Sequence, residues 1–246
     1  MNRCIISYAS RGREDYPAGL PRLIEYAMRN GKHGFSQDRP FLILSPELGG
    51  QIHSKIRINP HFSPIPLHKD IPYGFKPHIF KVAFDYGYQQ VLWMDSTIVT
   101  HKSLEPIWDI AAKEGACLFD NPGCPIRFWT SDDCMDAIGC PYGEPEQAMF
   151  NETMACAMAF DYSTPKGKKV FDEWYEASND GVSFAGKGGS TRPEFRAHRH
   201  DQSVISWLAQ KHQVPLQPYG MLCYNADRPK FPEHILANTG INEPIL

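Results

Sequence analysis

The sequence lacks the patterns that mark several common classes of protein. Its 7 cysteines are an odd number at irregular positions with no Cys-x-x-Cys pair, which fits neither a disulfide framework nor a structural zinc site. No stretch reaches the roughly 18 apolar residues that a membrane-spanning helix needs, and the amino terminus has no charged leader before an apolar run. We therefore expect reduced thiols, a cytoplasmic location and no membrane span.

An excess of either charge is also missing. Lysine and arginine number 25 against 28 aspartates and glutamates, and the formal net charge is -3. A protein that binds duplex nucleic acid usually has a strong basic excess, so no such partner is expected. The glycine-rich segment Gly-Lys-Gly-Gly-Ser at residues 186–190 has the spacing of neither a Walker loop nor a dinucleotide-binding fingerprint.

Patterns typical of strands and helices alternate along the chain. The length of 246 residues, 42% of them hydrophobic, is enough for one large core. Apolar runs predict strands at residues 4–8, 41–44, 91–94, 116–119 and 153–161. Helical spacing predicts helices near residues 20–29, 77–88, 104–113, 131–138, 144–150, 165–177 and 201–209. This alternation predicts an α/β fold with a mainly parallel central sheet in three layers.

The most informative segment is residues 87–100, in which the apolar run 91–94 ends at Asp95. Ligands of open α/β sheets bind outside the carboxyl ends of the strands, so Asp95 is the leading candidate for metal or substrate contact. Alternatively, Asp95 caps a turn after a core strand. Lys76 and Lys81 flank the start of the preceding helix, where the helix dipole also favours an anionic ligand. Lys81 is alternatively an ordinary solvated residue.

A second cluster of polar residues stands at the start of the last predicted helix. His198, His200, Asp201 and Gln202 precede residues whose apolar spacing predicts a helix packed on the sheet. As an alternative, Asp201 caps this helix while the histidines are solvated. Four such side chains and two arginines exceed what capping needs, so we favour a functional cluster.

The order of these segments resembles nucleotide-sugar glycosyltransferases of the GT-A fold. The resemblance is carried by a lysine-bearing helix, a strand ending in Trp93-Met94-Asp95, a later apolar strand at 154–160 and His-Asp-Gln before an amphipathic helix, and it covers residues 5–218. In that family the strand-end motif is usually Asp-x-Asp, whose carboxylates hold a divalent cation, commonly manganese, against the donor diphosphate. This chain has Asp95-Ser96-Thr97, so the second carboxylate is replaced by a hydroxyl, a weaker ligand for a hard cation.

The resemblance implies a GT-A-like, Rossmann-type three-layer domain over residues 1–246. Residues 1–120 would form the nucleotide-donor half, 121–220 the acceptor half and 221–246 a tail packed over the domain. It implies an enzyme, a hexosyl- or pentosyltransferase, that moves a sugar from a nucleotide diphosphate sugar to a glycan or other hydroxyl acceptor with the help of a divalent metal. The alternatives are a non-catalytic nucleotide or carbohydrate binding module derived from a transferase, and a sugar nucleotidyltransferase.

The resemblance also implies roles for individual residues. Asp201 is the predicted catalytic base, with Glu152 and Asp161 as weaker candidates, and Asp95 and His198 are the predicted ligands of Mn²⁺. The predicted donor-binding residues are Ser7, Arg11, Lys76, Lys81, Asp95, Thr97, His200 and Gln202. Alternatively, Asp95 contacts ribose or sugar hydroxyls, and Lys76, Lys81, Arg11 or Arg13 neutralises the leaving diphosphate without metal.

Overall fold

Strands from both halves of the sequence meet in one central sheet. The computed structural model describes residues 3–8, 19, 22–23, 41–43, 56–57, 65–224 and 231–239. The strands in this part of the chain are β1 Arg3–Ser7, β2 Phe41–Ile43, β3 Ile56–Arg57, β4 Gln90–Met94, β5 Ile98–Thr100, β6 Ala116–Pro125, β7 Asn151–Thr153, β8 Ala157–Asp161, β9 Leu216–Gln217, β10 Leu222–Tyr224 and β11 Leu236–Asn238. The central sheet has the order β3-β2-β1-β4-β8-β6-β7, and β9 pairs with β6.

The central sheet is mixed in direction. β3, β2, β1 and β4 pair in parallel, and so do β6 and β9. β8 lies antiparallel between β4 and β6, and β7 is antiparallel to β6. The predicted α/β fold class is confirmed. Because β1 and β4 are parallel neighbours, their carboxyl ends meet at one edge of the sheet, where ligands of such folds bind.

Helices cover both faces of the central sheet. They are α1 Phe75–Asp85, α2 Glu105–Glu114, α3 Ile126–Trp129, α4 Asp132–Ile138, α5 Pro165–Ala177 and α6 His200–Lys211. α1, α5 and α6 pack in one core and α2 in the other, and alternate residues of the fully buried strand β4 enter the two cores. The helix predicted at residues 20–29 lies outside the described residues except for Arg22 and Leu23, which are helical. No described helix is long and apolar enough to cross a membrane.

Aromatic side chains hold α1 and α5 on the sheet. The ring centroid of Phe80 in α1 is 5.2 Å from Phe160 in β8 and 5.9 Å from Trp174 in α5. Phe84 packs edge-on against Phe171 at 4.8 Å. All five rings are buried, and burying a large apolar side chain stabilises a fold by about 1.5–3 kcal/mol. This cluster therefore fixes the position of α1, including its first turn.

A smaller, three-stranded sheet forms next to the end of β4. Its order is β10-β11-β5, with β10 parallel to β11 and β11 antiparallel to β5. Beyond β11, the backbone N–H of Thr239 donates to the carbonyl of Thr97 at 3.2 Å. Residues 236–239 therefore bind to the segment that follows Asp95, and residues 222–224 pair with residues 236–238.

The helix predicted at residues 144–150 is wrong, because this segment forms turns. Arg127 Nη1 donates to the carbonyls of Tyr142 and Glu144, at 2.7 and 2.9 Å. The Glu144 carbonyl at the start of the predicted helix therefore accepts from a distant side chain. Ala148 has a φ of 57°, which lies outside the right-handed helical region. Local apolar spacing could not reveal either tertiary constraint.

The strand predicted at residues 153–161 is divided in two. β7 ends at Thr153 and β8 begins at Ala157, with a turn between them. β7 pairs with the later part of β6, whereas β8 pairs with β4 and with the beginning of β6. The chain must bend to change partners, and the bend brings the carbonyls of Ala155 and Cys156 to the end of β4.

Because α5 lies very close to the start of β6, we predict that adding one methyl group at Gly167 strongly lowers the stability of the fold. A Cβ at Gly167 would lie 2.2 Å from the carbonyl oxygen of Asp161 and 2.4 Å from that of Gly115. We expect Gly167→Ala to lower the free energy of unfolding by about 2–3 kcal/mol, because the backbone must shift. Urea unfolding measures this. The control Gly143→Ala, whose Cβ meets nothing nearer than 3.9 Å, should change stability by less than about 0.5 kcal/mol. Equal midpoints for the two variants would contradict the predicted crowding.

Candidate functional site

Asp95 lies directly after β4 at the carboxyl edge of the central sheet. Ile6 of β1 is opposite Trp93 of β4, so the ends of these two strands are aligned. The backbone N–H of Asp95 donates to the carbonyl of Cys156 at 2.8 Å, and its own carbonyl accepts from Ile98 at 2.9 Å. These bonds turn the chain after β4 and leave the Asp95 side chain 26% exposed.

A buried lysine joins Asp95 to a second carboxylate. Lys76 lies in the first turn of α1, and its side chain is only 3% exposed. Its Nζ atom is 3.0 Å from Asp201 Oδ2 and 3.5 Å from Asp95 Oδ1, and it donates to the carbonyl oxygen of Ala155 at 2.8 Å. These oxygen atoms compensate the ammonium group for its lost hydration. The structure thus brings three predicted site residues together.

Burial and neighbouring charges set the protonation state of this cluster. Burial by itself lowers the pKa of Lys76, but the carboxylates of Asp201 and Asp95 raise it above its ordinary value. Burial raises the pKa of Asp201, although Lys76 opposes this shift. The rings of Tyr73 and Trp93 lie 5.1 and 5.4 Å from the ammonium group and add a favourable cation–π interaction. Lys76 is therefore charged, and Asp201 accepts a proton more readily than a solvated aspartate does.

The start of α6 brings Asp201 to Lys76. The apolar face of this helix is buried in the core, which fixes its position against the sheet. Trp174 Nε1 donates to the main-chain carbonyl of Asp201 at 3.2 Å. His200, with a φ of 50°, makes the turn into the helix, and its Nδ1 donates to the carbonyl of Phe184 at 2.7 Å. His200 therefore supports the geometry of the helix start.

Another buried carboxylate, Glu152 of β7, lies near the same helix end. Its Oε2 accepts from Gln202 Nε2 at 3.0 Å and lies 3.2 Å from Arg199 Nη1. Its Oε1 has no hydrogen-bond partner among the described residues. Burial raises the pKa of Glu152 to about 8, against the opposing effects of Arg199 and Gln202. Glu152 is thus largely protonated at pH 7. The local sequence around Glu152 does not predict this protonation state.

Tyr224 and Arg199 lie next to residues of this cluster, since Tyr224 contacts Cys156, whose carbonyl binds the Asp95 N–H, and Arg199 contacts Glu152; neither is among the predicted site residues. Cys156 Sγ is 3.9 Å from the Tyr224 hydroxyl. Burial and Cys156 raise the pKa of Tyr224; Asp95 adds to this shift and Arg199 opposes it, so both charges act on the hydroxyl. Arg199 directly precedes the predicted His200, so the sequence offered a local signal for it. Tyr224 lies in a segment without periodicity, and no sequence pattern marks it.

Two predicted residues have other partners. Lys81 lies about 7.5 Å further along α1 than Lys76 and forms an ion pair with Asp85 at 2.5 Å. Asp161, a weaker candidate for the base, is opposite Gln90 at the start of β4 and therefore at the other edge of the sheet from Asp95.

The remaining predicted donor contacts are close to the end of β4 or not described. Ser7 ends β1; it is fully buried, and its hydroxyl has no hydrogen-bond partner in the described part of the chain. Thr97 is 8% exposed, and its carbonyl binds Thr239 as described above. Arg11 and Arg13 lie outside the described residues.

The described residues do not fit the predicted manganese ion. No group of three His, Cys, Asp or Glu side chains among them is able to hold a metal. Lys76 Nζ, 3.5 Å from Asp95, would repel a cation there. His198 uses both ring nitrogens, since Nδ1 accepts from the Ser131 N–H at 3.3 Å and Nε2 donates to the Ser183 carbonyl at 3.0 Å. Burial lowers the pKa of His198 to about 4, so the ring is a neutral structural group.

Comparisons with known proteins assign the fold but not a family. Comparison with protein-family models found no match, and comparison with curated proteins found none either. Comparison with solved structures shows that the chain has a glycosyltransferase-like fold. A structure that shows this is the apo form of WbbM, a bifunctional glycosyltransferase, with a TM-score of 0.57 over 96% of this chain and 12% sequence identity. The chain spans 45% of the length of WbbM.

Because the ammonium group of Lys76 is buried, we predict that replacing Lys76 costs far more stability than replacing Lys81 in the same helix. We expect Lys76→Met to lower the free energy of unfolding by about 3–5 kcal/mol, because Asp201 stays buried without its counter-charge. Lys81→Met removes a more exposed i, i+4 pair and should cost less than about 0.5 kcal/mol. Denaturant unfolding of the two variants tests this expectation. Similar costs would show that Lys76 and Asp201 are not paired in solution.

Glu152 predicts a pH dependence of stability. Its folded-state pKa of about 8 exceeds the ordinary value of 4.5, so the folded protein binds more protons between these values and stability falls as pH rises through this window. Glu152→Gln is neutral at every pH. Its free energy of unfolding relative to wild type should therefore rise by on the order of 4 kcal/mol between these pH values and then level off.

Unfolding titrations across that pH range provide the measurement for Glu152. The control is Glu146→Gln, since Glu146 is exposed to solvent. Its difference from wild type should stay flat as pH changes. A flat difference for Glu152→Gln as well would mean that Glu152 ionises at the same pH in the folded and unfolded protein.

Proposed function

We propose that this chain is a glycosyltransferase that moves a sugar from a nucleotide diphosphate sugar to a hydroxyl acceptor. The observation that carries the proposal is the cluster of Lys76, Asp95 and Asp201 at the carboxyl edge of the sheet in a glycosyltransferase-like fold. Ligands of open α/β sheets bind at this edge. Carboxylates at such a place accept hydrogen bonds from sugar hydroxyls and take up protons.

The proposed reaction is a substitution at the anomeric carbon of the donor sugar. The acceptor hydroxyl oxygen forms a bond to this carbon, the bond to the diphosphate oxygen breaks, and its electron pair leaves with the diphosphate. In an inverting transfer the hydroxyl proton passes to a carboxylate, and Asp201 is the proposed base. The raised pKa of Asp201 supports this role. In a retaining transfer the departing phosphate itself takes the proton.

Asp95 is the proposed contact of donor sugar or ribose hydroxyls. Its side chain is 26% exposed, against 4% for Asp201, so a substrate reaches it more easily. Lys76 is buried and surrounded by oxygen atoms, which supports a positioning role. Arg11, which follows β1 in the sequence, is the proposed partner of the leaving diphosphate. The proposed reaction uses no metal ion, because the described residues do not fit one.

A non-catalytic nucleotide or carbohydrate binding module is the second candidate. The observation that favours it is Thr97, which stands where the resembled family has an acid. A sugar nucleotidyltransferase is a further alternative, and its reaction would release pyrophosphate from a nucleoside triphosphate. The products therefore separate the three functions: a nucleoside diphosphate, no product, or pyrophosphate.

Calorimetric titration with a panel of nucleoside diphosphates and nucleotide sugars tests the proposal. Each ligand is titrated once with manganese and once with a chelator. We expect one nucleotide to bind in both conditions, because Lys76 lies against Asp95 in place of a cation. Binding only with manganese would assign Asp95 to a metal instead. If no nucleotide binds in either condition, the proposed transferase function is wrong.

A substitution of Asp95 then separates an enzyme from a binding module. We expect Asp95→Ala to abolish release of nucleoside diphosphate from the nucleotide sugar that binds; an unchanged affinity for the nucleoside diphosphate would assign the Asp95 contact to the donor sugar, and a lowered one to the ribose. The matched control is Asp85→Ala, since Asp85 is exposed and pairs only with Lys81 among the described residues. Its release rate should equal that of wild type. The transferase proposal would be rejected by a wild-type protein that binds nucleotide sugars but releases no product with any hydroxyl acceptor.

A further inference from the structure

Two arginine side chains lie against one tryptophan close to the candidate site. The guanidinium carbon of Arg199 is 3.7 Å from the ring centroid of Trp129, and that of Arg196 is 5.4 Å from it. The backbone N–H of Arg199 donates to the Trp129 carbonyl at 3.0 Å, and that of Arg196 to the Phe128 carbonyl at 2.8 Å. These contacts hold both cations in place. We call Trp129, Arg196 and Arg199 the arginine platform.

Arg196 differs from Arg127 and Arg192, two arginines of the same region, in having no acidic partner. Arg127 forms an ion pair with Glu194, and Arg192 forms one with Asp132 at 2.8 Å, so both are compensated and buried. Arg196 is exposed and has no acidic partner in the part of the chain that the structure describes. Its charge is therefore free to bind a ligand.

The positive charge of Arg199 is also largely uncompensated by a negative charge on its partner. Its partner Glu152, 3.2 Å away, is largely protonated at pH 7 because burial raises the pKa of Glu152 to about 8. The side chain of Arg199 is 31% exposed, and it acts electrostatically on the Tyr224 hydroxyl together with Asp95. The buried Trp129 Nε1 has no acceptor among the described residues. The arginine platform therefore presents two guanidinium groups without an ionised acidic partner among the described residues, next to the helix start that carries Asp201.

The order of the sheet separates the arginine platform from the predicted donor loop. β6 runs in the same direction as β4, because both are antiparallel to β8, so α3 with Trp129 begins at the same edge as Asp95. β4 and β8 lie between β1 and β6, which separates the axes of β1 and β6 by roughly 14 Å across the sheet. The predicted donor loop follows β1. The arginine platform is thus on the opposite side of Asp95, where the acceptor would enter.

We infer that the arginine platform binds a carboxylate or phosphate group carried by the sugar acceptor. A planar guanidinium group donates two parallel hydrogen bonds to either anion, and two such groups on one aromatic ring select for charge over a neutral hydroxyl. The assignment of this anion to a sugar acceptor rests on the proposed function, whereas the anion site itself rests on the two guanidinium groups.

Matched pairs of small sugars test the inference with the full-length chain. Nuclear magnetic resonance titration compares methyl glucuronide with methyl glucoside, and glucose 6-phosphate with glucose. We expect the charged member of at least one pair to bind about tenfold more tightly than its neutral partner, and added salt to weaken this preference. If neither charged sugar binds more tightly than its neutral partner, the inference is overturned.

Three variants locate the binding of the charged sugar. Arg196→Gln removes an exposed cation, and Arg199→Lys keeps the charge beside Glu152 but loses the planar donor pair; each should weaken binding about tenfold. The control Lys169→Gln removes an exposed cation of α5 and should leave affinity unchanged. If neither arginine variant loses affinity for the charged sugar, the inference is overturned.

Nucleoside diphosphates distinguish the acceptor from the donor as the source of the anion. Their affinity should be the same in Arg196→Gln as in wild type. If it falls by the same factor as that of the charged sugar, the arginine platform serves the donor and the assignment to the acceptor is overturned. Charged sugars that bind without any nucleotide binding would uphold the anionic site and reject the proposed transferase, whereas nucleotide binding without a preference for charged sugars would do the reverse.

Discussion

The buried ammonium group of Lys76 is the interaction on which the candidate site depends. A charge removed from water destabilises a protein unless oxygen atoms surround it, so every group that contacts Nζ must be in place. These groups come from separate parts of the chain: Asp95 after β4, Asp201 at the start of α6, and the carbonyl of Ala155 in the turn before β8. One atom thereby ties the end of the central strand to two helices and a turn that are distant in sequence.

The same environment gives three carboxylates different properties. Asp95 is partly exposed, Asp201 is buried beside an ammonium group, and Glu152 is buried with a guanidinium group as its charged neighbour. Burial raises the pKa of both Asp201 and Glu152, and that of Glu152 reaches about 8. A protonated Glu152 leaves the charge of Arg199 available to a ligand. The proposed division into a proton acceptor, a substrate contact and a neutral support rests on these differences in exposure and in the nearest cation.

Sequence reasoning located the edge of the sheet well because strand burial leaves a clear pattern. The apolar run before Asp95 marks a buried strand, and the apolar face of α6 marks the helix that begins near Asp201. It was less accurate where tertiary contacts replace local preference, as in the turns at residues 144–150, where the Glu144 carbonyl accepts from the Arg127 side chain. It also treated residues 153–161 as one strand, although the bend within them delivers the carbonyl that binds Lys76.

The sequence by itself determined the α/β class and the position of Asp95 at a strand end, because hydrophobic periodicity is a local property of the chain. It also singled out Lys76 and Asp201 as polar residues at helix starts. Only the tertiary structure decided that these two side chains form one ion pair, and that Glu152 meets Arg199. Such pairings depend on distances between residues far apart in the chain and on the burial that the whole fold creates. Protonation follows from burial, and therefore no local pattern of residues predicts it.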